Sequence, residues 1–194
     1  MPSHTRPLSG RERIRATLTD YRDAIQYVHD QTLRYMNKGL TPDQIVERVH
    51  LPPHLAESPW LQEFYGKVSW SVRSVFDGYL GWFDGNPSTL QPLPIKQQAQ
   101  HMAELAGGEQ ALADKAKAAL EQGEAQWALN LSDHLRALRP DDDQVNQLRA
   151  EALRQLGQVE SNPNARNYYF TAAREEADGL KPGCRPPPPH GRPL

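Results

Sequence analysis

Seven histidines give this chain its widest chemical reach, and metal-assisted hydrolysis is the chemistry that such a number suggests. Spacing removes most of them. His50 and His54 stand four apart, which on a helix would aim both imidazoles at one ion, but Pro52 and Pro53 lie between them and interrupt any helix. His29, in "YVHDQT", falls mid-helix beside an acidic residue and reads as a structural hydrogen-bonding group. His101 and His134 are isolated on expected helices without a ligand-spaced partner, and His190 lies in a proline-rich tail. His4 is different. It sits in "SHTRPLSG", a proline-bounded segment before the first long helix, where a ligand would project from the edge of a preceding element that this chain lacks. No H-x-H-x-D-H cluster, H-E-x-x-H helix, G-x-S-x-G elbow or phosphate-binding glycine loop occurs. Cys184 is the single cysteine, so no internal disulfide can form, and its place in the tail argues against a catalytic thiol.

The elements that would position such groups are helices. A chain of 194 residues, 38% hydrophobic and 24% charged, fits one domain or one small domain with an appendage. A formal charge of −2 provides no basic face for nucleic acid. No apolar run approaches the roughly 20 residues that span a bilayer, and the N-terminus has no apolar signal-peptide core. Partners of either kind are therefore not expected, and the compartment is left open.

Pro2, Pro7 and Gly10 keep the first ten residues from forming a helix. From Arg11, the recurrence of Ile14, Leu18, Tyr21, Ile25, Val28, Thr32 and Tyr35 predicts an amphipathic helix, closed near Gly39. "TPDQIVERV" predicts a short helix with Thr41 as N-cap, Pro42 at its first position and Gln44 closing a capping box. "HLPPHLAESPW" reads as a rigid connection, with a helical turn opening at Ser58-Pro59. Residues 68–80 place Val68, Val72, Val75, Phe76 and Tyr79 on one helical face. Further helices are expected over 95–106, 109–122, 124–138, 142–159 and 163–178, with no period-2 strand.

Two helical hairpins repeat. Ala116, Ala118 and Gly123 in "AKAALEQG" recur as Ala150, Ala152 and Gly157 in "AEALRQLG", the period and small-residue placement of tetratricopeptide repeats. Such arrays need about three copies to bury a continuous core. With fewer, the apolar face of Trp127, Leu131, Leu135 and Leu148 is expected to pack on the first half of the chain or on a second copy. The final "KPGCRPPPPHGRPL" cannot form a packed core and favours extended polyproline geometry.

In order along the chain, "SHTRPLSG", "YRDAIQYVHDQTLRYMNKGLTPDQI", "LPPHL", "FYGKVSWSVRSVFDGYLGWFDGNPSTLQPLP" and "RNYYFTAA" resemble the C-terminal half of the alkyl sulfatases of the metallo-β-lactamase superfamily. The resemblance runs from about residue 2 to residue 178. It implies an all-α, multi-helical bundle with tetratricopeptide-like hairpins over residues 11–178, akin to that family's dimerisation domain. Residues 1–10 would be a short remnant of an αββα metallo-β-lactamase domain, and 179–194 a disordered tail. Family members are zinc enzymes that hydrolyse alkyl sulfate esters, with two metal ions activating water. The resemblance makes His4 the last of the family's metal ligands and the only one retained, so no zinc is expected on this chain alone. Many members carry a histidine after "YGxxS" that helps hold the sulfate. Trp70 stands there in this chain, and an indole donates one hydrogen bond without ever carrying charge.

Arg6 and Tyr65 are the other substrate-pocket candidates that the resemblance supplies. "YLGWFDGNP" resembles the family's hinge, with Gly81, Gly85 and Pro87 shaping the turn and Tyr79, Trp82 and Phe83 anchoring it by burial. The expected function is the dimerising, pocket-forming part of an alkyl sulfatase-like hydrolase, a truncated chain without a complete catalytic site and inactive alone. A homodimer through the helices follows, with a metallo-β-lactamase catalytic domain as a further partner. The alternatives are a stand-alone helical scaffold, and one half of a split enzyme.

Overall fold

A computed structural model describes residues 7–179. The described residues are helical, with turns between the helices and no strand. They divide into two compact units, Met1–Pro92 and Leu93–Leu194.

In the first unit, the expected amphipathic helix is α1, Arg11–Met36. Helix α2, Pro42–Val46, opens on the predicted capping box: Gln44 N–H donates to the Thr41 hydroxyl, and the Gln44 side-chain oxygen accepts from Thr41 N–H. Two short-range expectations fail between α2 and the next long helix. The stretch read as a rigid connection contains a four-residue helix, α3, Pro53–Ala56. Proline is tolerated at the first helical position because its missing N–H would have had no partner there. The helical turn expected at Ser58-Pro59 is absent, and residues 59–65 form turns and bends. Ser58 is buried with its hydroxyl directed at Asp20 rather than at a backbone N–H of a following helix. Helix α4 is Val68–Leu80, as the periodicity predicts.

Helix α4 packs on α1 and α2 around Val28, Ile45, Val49, Val72 and Phe76. Only part of α1 joins this core. Its N-terminal half buries Thr17 and Ala24, while Ile14, Leu18, Tyr21 and Ile25 stay 40%, 64%, 43% and 69% exposed. The apolar stripe predicted from spacing is present, but no described element covers its first three turns.

The turn after α4 also departs from expectation. Gly81 and Gly85 take φ of 76° and 87°, conformations that suit glycine. The aromatics, however, do not anchor it by burial: Tyr79 and Trp82 are 60% and 75% exposed, and Phe83 is half-buried. Short-range polar bonds hold the bend instead. One Asp84 carboxylate oxygen accepts from Asn86 N–H at 2.9 Å and from the Thr89 hydroxyl at 2.7 Å, and the Asn86 side chain accepts from Ser88 N–H. This Asx-type geometry supplies a turn without help from the core.

In the second unit, α5 (Ile95–Ala106), α6 (Glu109–Glu121), α7 (Ala125–Leu138), α8 (Asp143–Val159) and α9 (Pro163–Asp178) fall within a residue of the predicted spans. Helices α6 to α9 each pack mainly on a neighbour in sequence, whereas α5 packs more on α7 than on α6. Leu131, Leu135 and Leu148 do not form a leftover face. They bury with Ala103, Leu112, Ala116 and Val145 in one core, because α5 completes the layer that two repeats lacked. Trp127 alone of that set stays half-exposed.

Small residues serve close approach: Ala119, Ala128 and the repeat's Ala152 cluster where α6, α7 and α8 meet. Gly157 does the same between α8 and α9. A Cβ there would lie 2.9 Å from the nearest Phe170 ring carbon. Alanine gains roughly 1 kcal/mol of helix propensity against that clash, so Gly157→Ala should be close to neutral. Gly157→Val adds bulk the ring cannot clear, and should lower stability in urea unfolding by about 1–3 kcal/mol. A valine variant as stable as the parent would show that the two helices have room to spare.

Candidate functional site

The exposed stripe of α1 forms one wall of an apolar cleft of about 1120 Å³ within the first unit. Segment 59–67 forms another wall, with Trp60, Phe64 and Tyr65 among its lining residues. Val68, Ser71 and Val75 of α4 close the base. The aromatic wall is irregular backbone, and it is positioned by side-chain bonds to its two ends. Gln62 donates its amide to the Ala56 and Ser58 carbonyls at 2.8 and 2.9 Å, and Glu63 accepts from Val68 N–H at 2.8 Å. Glu63 thereby satisfies a first-turn donor of α4 that the Lys67 side chain leaves open.

His29 lines the cleft at the α1–α4 contact. Its Nδ1 lies 2.9 Å from Asp30 Oδ1 and its Nε2 lies 3.0 Å from the Tyr79 hydroxyl. An ionised carboxylate only accepts, so Nδ1 carries the proton of the neutral ring and Nε2 accepts from Tyr79. The structural role expected of His29 is therefore present, as a pin between two helices fifty residues apart in sequence.

Three carboxyls are held below the ordinary aspartate range. For Asp30 the largest cause is the hydrogen bond from His29, for Asp84 the bond from Thr89, and for Asp142 the bond from Val145 N–H at the start of α8. A lowered folded pKa gives stability that is present above the unfolded value, about 3.9, and lost as pH falls through the folded one. Thermal unfolding should thus be flat from neutrality to about pH 5 and weaken below about pH 4. Asp142→Asn keeps the N-cap acceptor and should reduce the acid-side slope. An unchanged slope in that variant would place the acid sensitivity elsewhere.

The structure places the site candidates apart. Tyr65 lines the cleft, whereas Trp70 is not among the lining residues and stands 41% exposed, with the Lys67 ammonium 5.9 Å from its ring centre. His4 and Arg6 lie outside the described residues. The aromatic density of Trp60, Phe64 and Tyr65 within "WLQEFY" was the sequence signal for the cleft's second wall, and Trp60 and Phe64 were passed over because no reactive group accompanies them. Among the described residues, no group of three or more His, Cys, Asp or Glu side chains could hold a metal ion. The described residues alone do not supply the ligands for the zinc pair that the family resemblance implies. No helix among the described residues is long and apolar enough to cross a membrane.

These features define an all-helical protein whose distinctive surface is an apolar cleft rather than a cluster of reactive side chains. Residues 41–179 match the alkyl sulfatase dimerisation family, and the chain belongs to it. A linear primary-alkylsulfatase of Pseudomonas sp. is 46% identical over 176 residues, covering 90% of this chain and 33% of that protein. An (R)-specific secondary-alkylsulfatase of Pseudomonas sp. is 35% identical over 178 residues, 91% of this chain and 27% of its own length. The solved structure of a stereoselective inverting sec-alkylsulfatase from Pseudomonas sp. superposes with a TM-score of 0.85 at 35% identity, covering 91% of this chain and 28% of that one. The chain thus spans about a third or less of the relatives it matches.

Proposed function

We propose that this chain forms the dimerisation surface and one apolar wall of the substrate pocket in a metal-dependent hydrolase of alkyl sulfate esters. The observation that carries the reading is the alkyl sulfatase dimerisation match over residues 41–179. The cleft supports it, since an unbranched alkyl chain offers only apolar surface and is recognised by burial against apolar walls. In this reading Tyr65 and Arg6 belong to the pocket, and Trp70 takes the place of a sulfate-holding histidine. His4 contributes a single metal ligand to a zinc site whose other ligands come from a metallo-β-lactamase domain. The described residues then contribute binding and assembly, and the reaction's charge stabilisation lies with the metal-bearing part.

A chimaera tests this. The matching third of the Pseudomonas linear primary-alkylsulfatase is replaced by this chain, and the product is examined by sedimentation equilibrium and for sulfate release from a linear alkyl sulfate. A dimer that releases sulfate is expected. A folded dimer without activity would leave a scaffold, and a folded monomer would remove the dimerisation role.

A further inference from the structure

Helix α1 carries a second stripe beside its apolar one. With about 100° between successive residues, Arg11, Arg15 and Arg22 share one arc of the helix, and Ile14, Leu18 and Ile25 occupy the arc next to it. Glu12 and Asp23 fall outside both arcs. The two stripes meet along an open strip of the helix surface formed by the three arginines with Ile14, Leu18 and Thr19. Ile14 and Leu18 also line the large cleft, so the arginine strip borders it. Arg22 is paired with Asp23 at 2.6 Å, both side chains being largely open to water. Arg11 and Arg15 make no ion pair or side-chain hydrogen bond among the described residues.

We infer that this seam binds single-chain anionic amphiphiles, with the anionic head against the α1 arginines and the alkyl chain laid over Leu18 and Ile14 into the cleft. Charge complementarity selects the head: Arg11 and Arg15, with Arg22 beside them already paired to Asp23, match a sulfate or carboxylate, and guanidinium geometry suits bidentate contact with either. The apolar half selects a single chain over a lipid bilayer. A helix lying on a bilayer needs its apolar face free and convex, whereas this one lines a concave cleft together with Trp60 and Phe64. The seam would gather amphiphile from dilute solution and deliver it tail-first. This inference rests on the reading of the cleft as the wall of an alkyl-chain pocket.

Isothermal titration of the whole chain with decyl sulfate and with decanol, each below the concentration at which it forms micelles, separates head from tail. Decyl sulfate should bind more tightly than decanol by on the order of tenfold, with the margin shrinking as salt is raised. A variant with Arg11→Gln, Arg15→Gln and Arg22→Gln changes exposed helical positions only, and unchanged helicity confirms that it folds. It should bring decyl sulfate down to the decanol level and leave decanol unaltered. Leu18→Asp should weaken both.

Equal binding of the two probes, insensitive to the triple change, would overturn the seam while leaving the apolar pocket in place. Failure of both probes to bind would overturn the pocket reading with it. Binding to phosphatidylserine vesicles without binding of monomeric decyl sulfate would overturn the single-chain assignment.

Discussion

Replacing Phe76 with alanine should lower the stability of the chain by about 3–5 kcal/mol in chemical unfolding monitored by circular dichroism. The side chain is 3% exposed and lies at the centre of the first unit's core, where α4 meets Val28 of α1 and Ile45 of α2. The loss combines the transfer free energy of the ring with a cavity that Ile45 and Val72, both fully buried, cannot collapse to fill. Against a typical total of about 5–15 kcal/mol, that loss is a large fraction. The same packing fixes the α1–α4 contact at the base of the cleft, so alkyl-chain binding should fall along with stability. A cost below about 1 kcal/mol would mean that this core is looser than the burial of its members indicates.

The second large effect is electrostatic. Arg149 of α8 is 8% exposed and donates to Glu176 of α9 at 3.2 Å, to Asp133 of α7 at 2.5 Å and to the Ser132 hydroxyl at 3.2 Å. Glu176 also accepts from Arg136 of α7, so one network joins three helices. Glu176→Ala leaves a buried guanidinium whose one remaining carboxylate, Asp133, is itself 60% exposed. The expected loss is about 3 kcal/mol. Removing both members should be far milder: with Arg149→Met and Glu176→Leu together, most of that loss should return, because neither buried charge needs compensation any longer. A double variant as unstable as Glu176→Ala alone would show that the network contributes net stability rather than specifying how α7, α8 and α9 align.

The parts of this structure legible in the sequence are those with local causes. The capping box at Thr41, the glycine stops and the three-to-four spacing of apolar residues each act over a turn or two of helix, and they locate the long helices to within a residue. Alanine spacing likewise marks Ala152, which lies in the close packing of α6, α7 and α8. What escaped depends on contacts the spacing does not encode. Periodicity marks the apolar stripe of α1 but is silent on what covers it, so the exposure of Leu18 and Ile25 has no counterpart in the spacing. The aromatics of the "YLGWFDGNP" turn were credited with burial, while the bend is held by Asp84 and Thr89, whose bonds span only five residues. Of the pocket candidates Tyr65 lines the cleft and Trp70 does not, and the cleft's second wall carries no chemical signature to advertise it.

The nearest-neighbour packing of α5 to α9 has a kinetic meaning. In that unit nearly every helix finds its main partner one connection away, so assembly requires little loop closure and can grow turn by turn from any hairpin. The first unit has to bring α1 onto α4 across an interval bridged by His29 and Tyr79, fifty residues apart, before its core exists. Two units of similar length therefore carry different contact orders. The later half should condense on the faster timescale of helical arrays, while the cleft, which depends on the distant pairing, forms last.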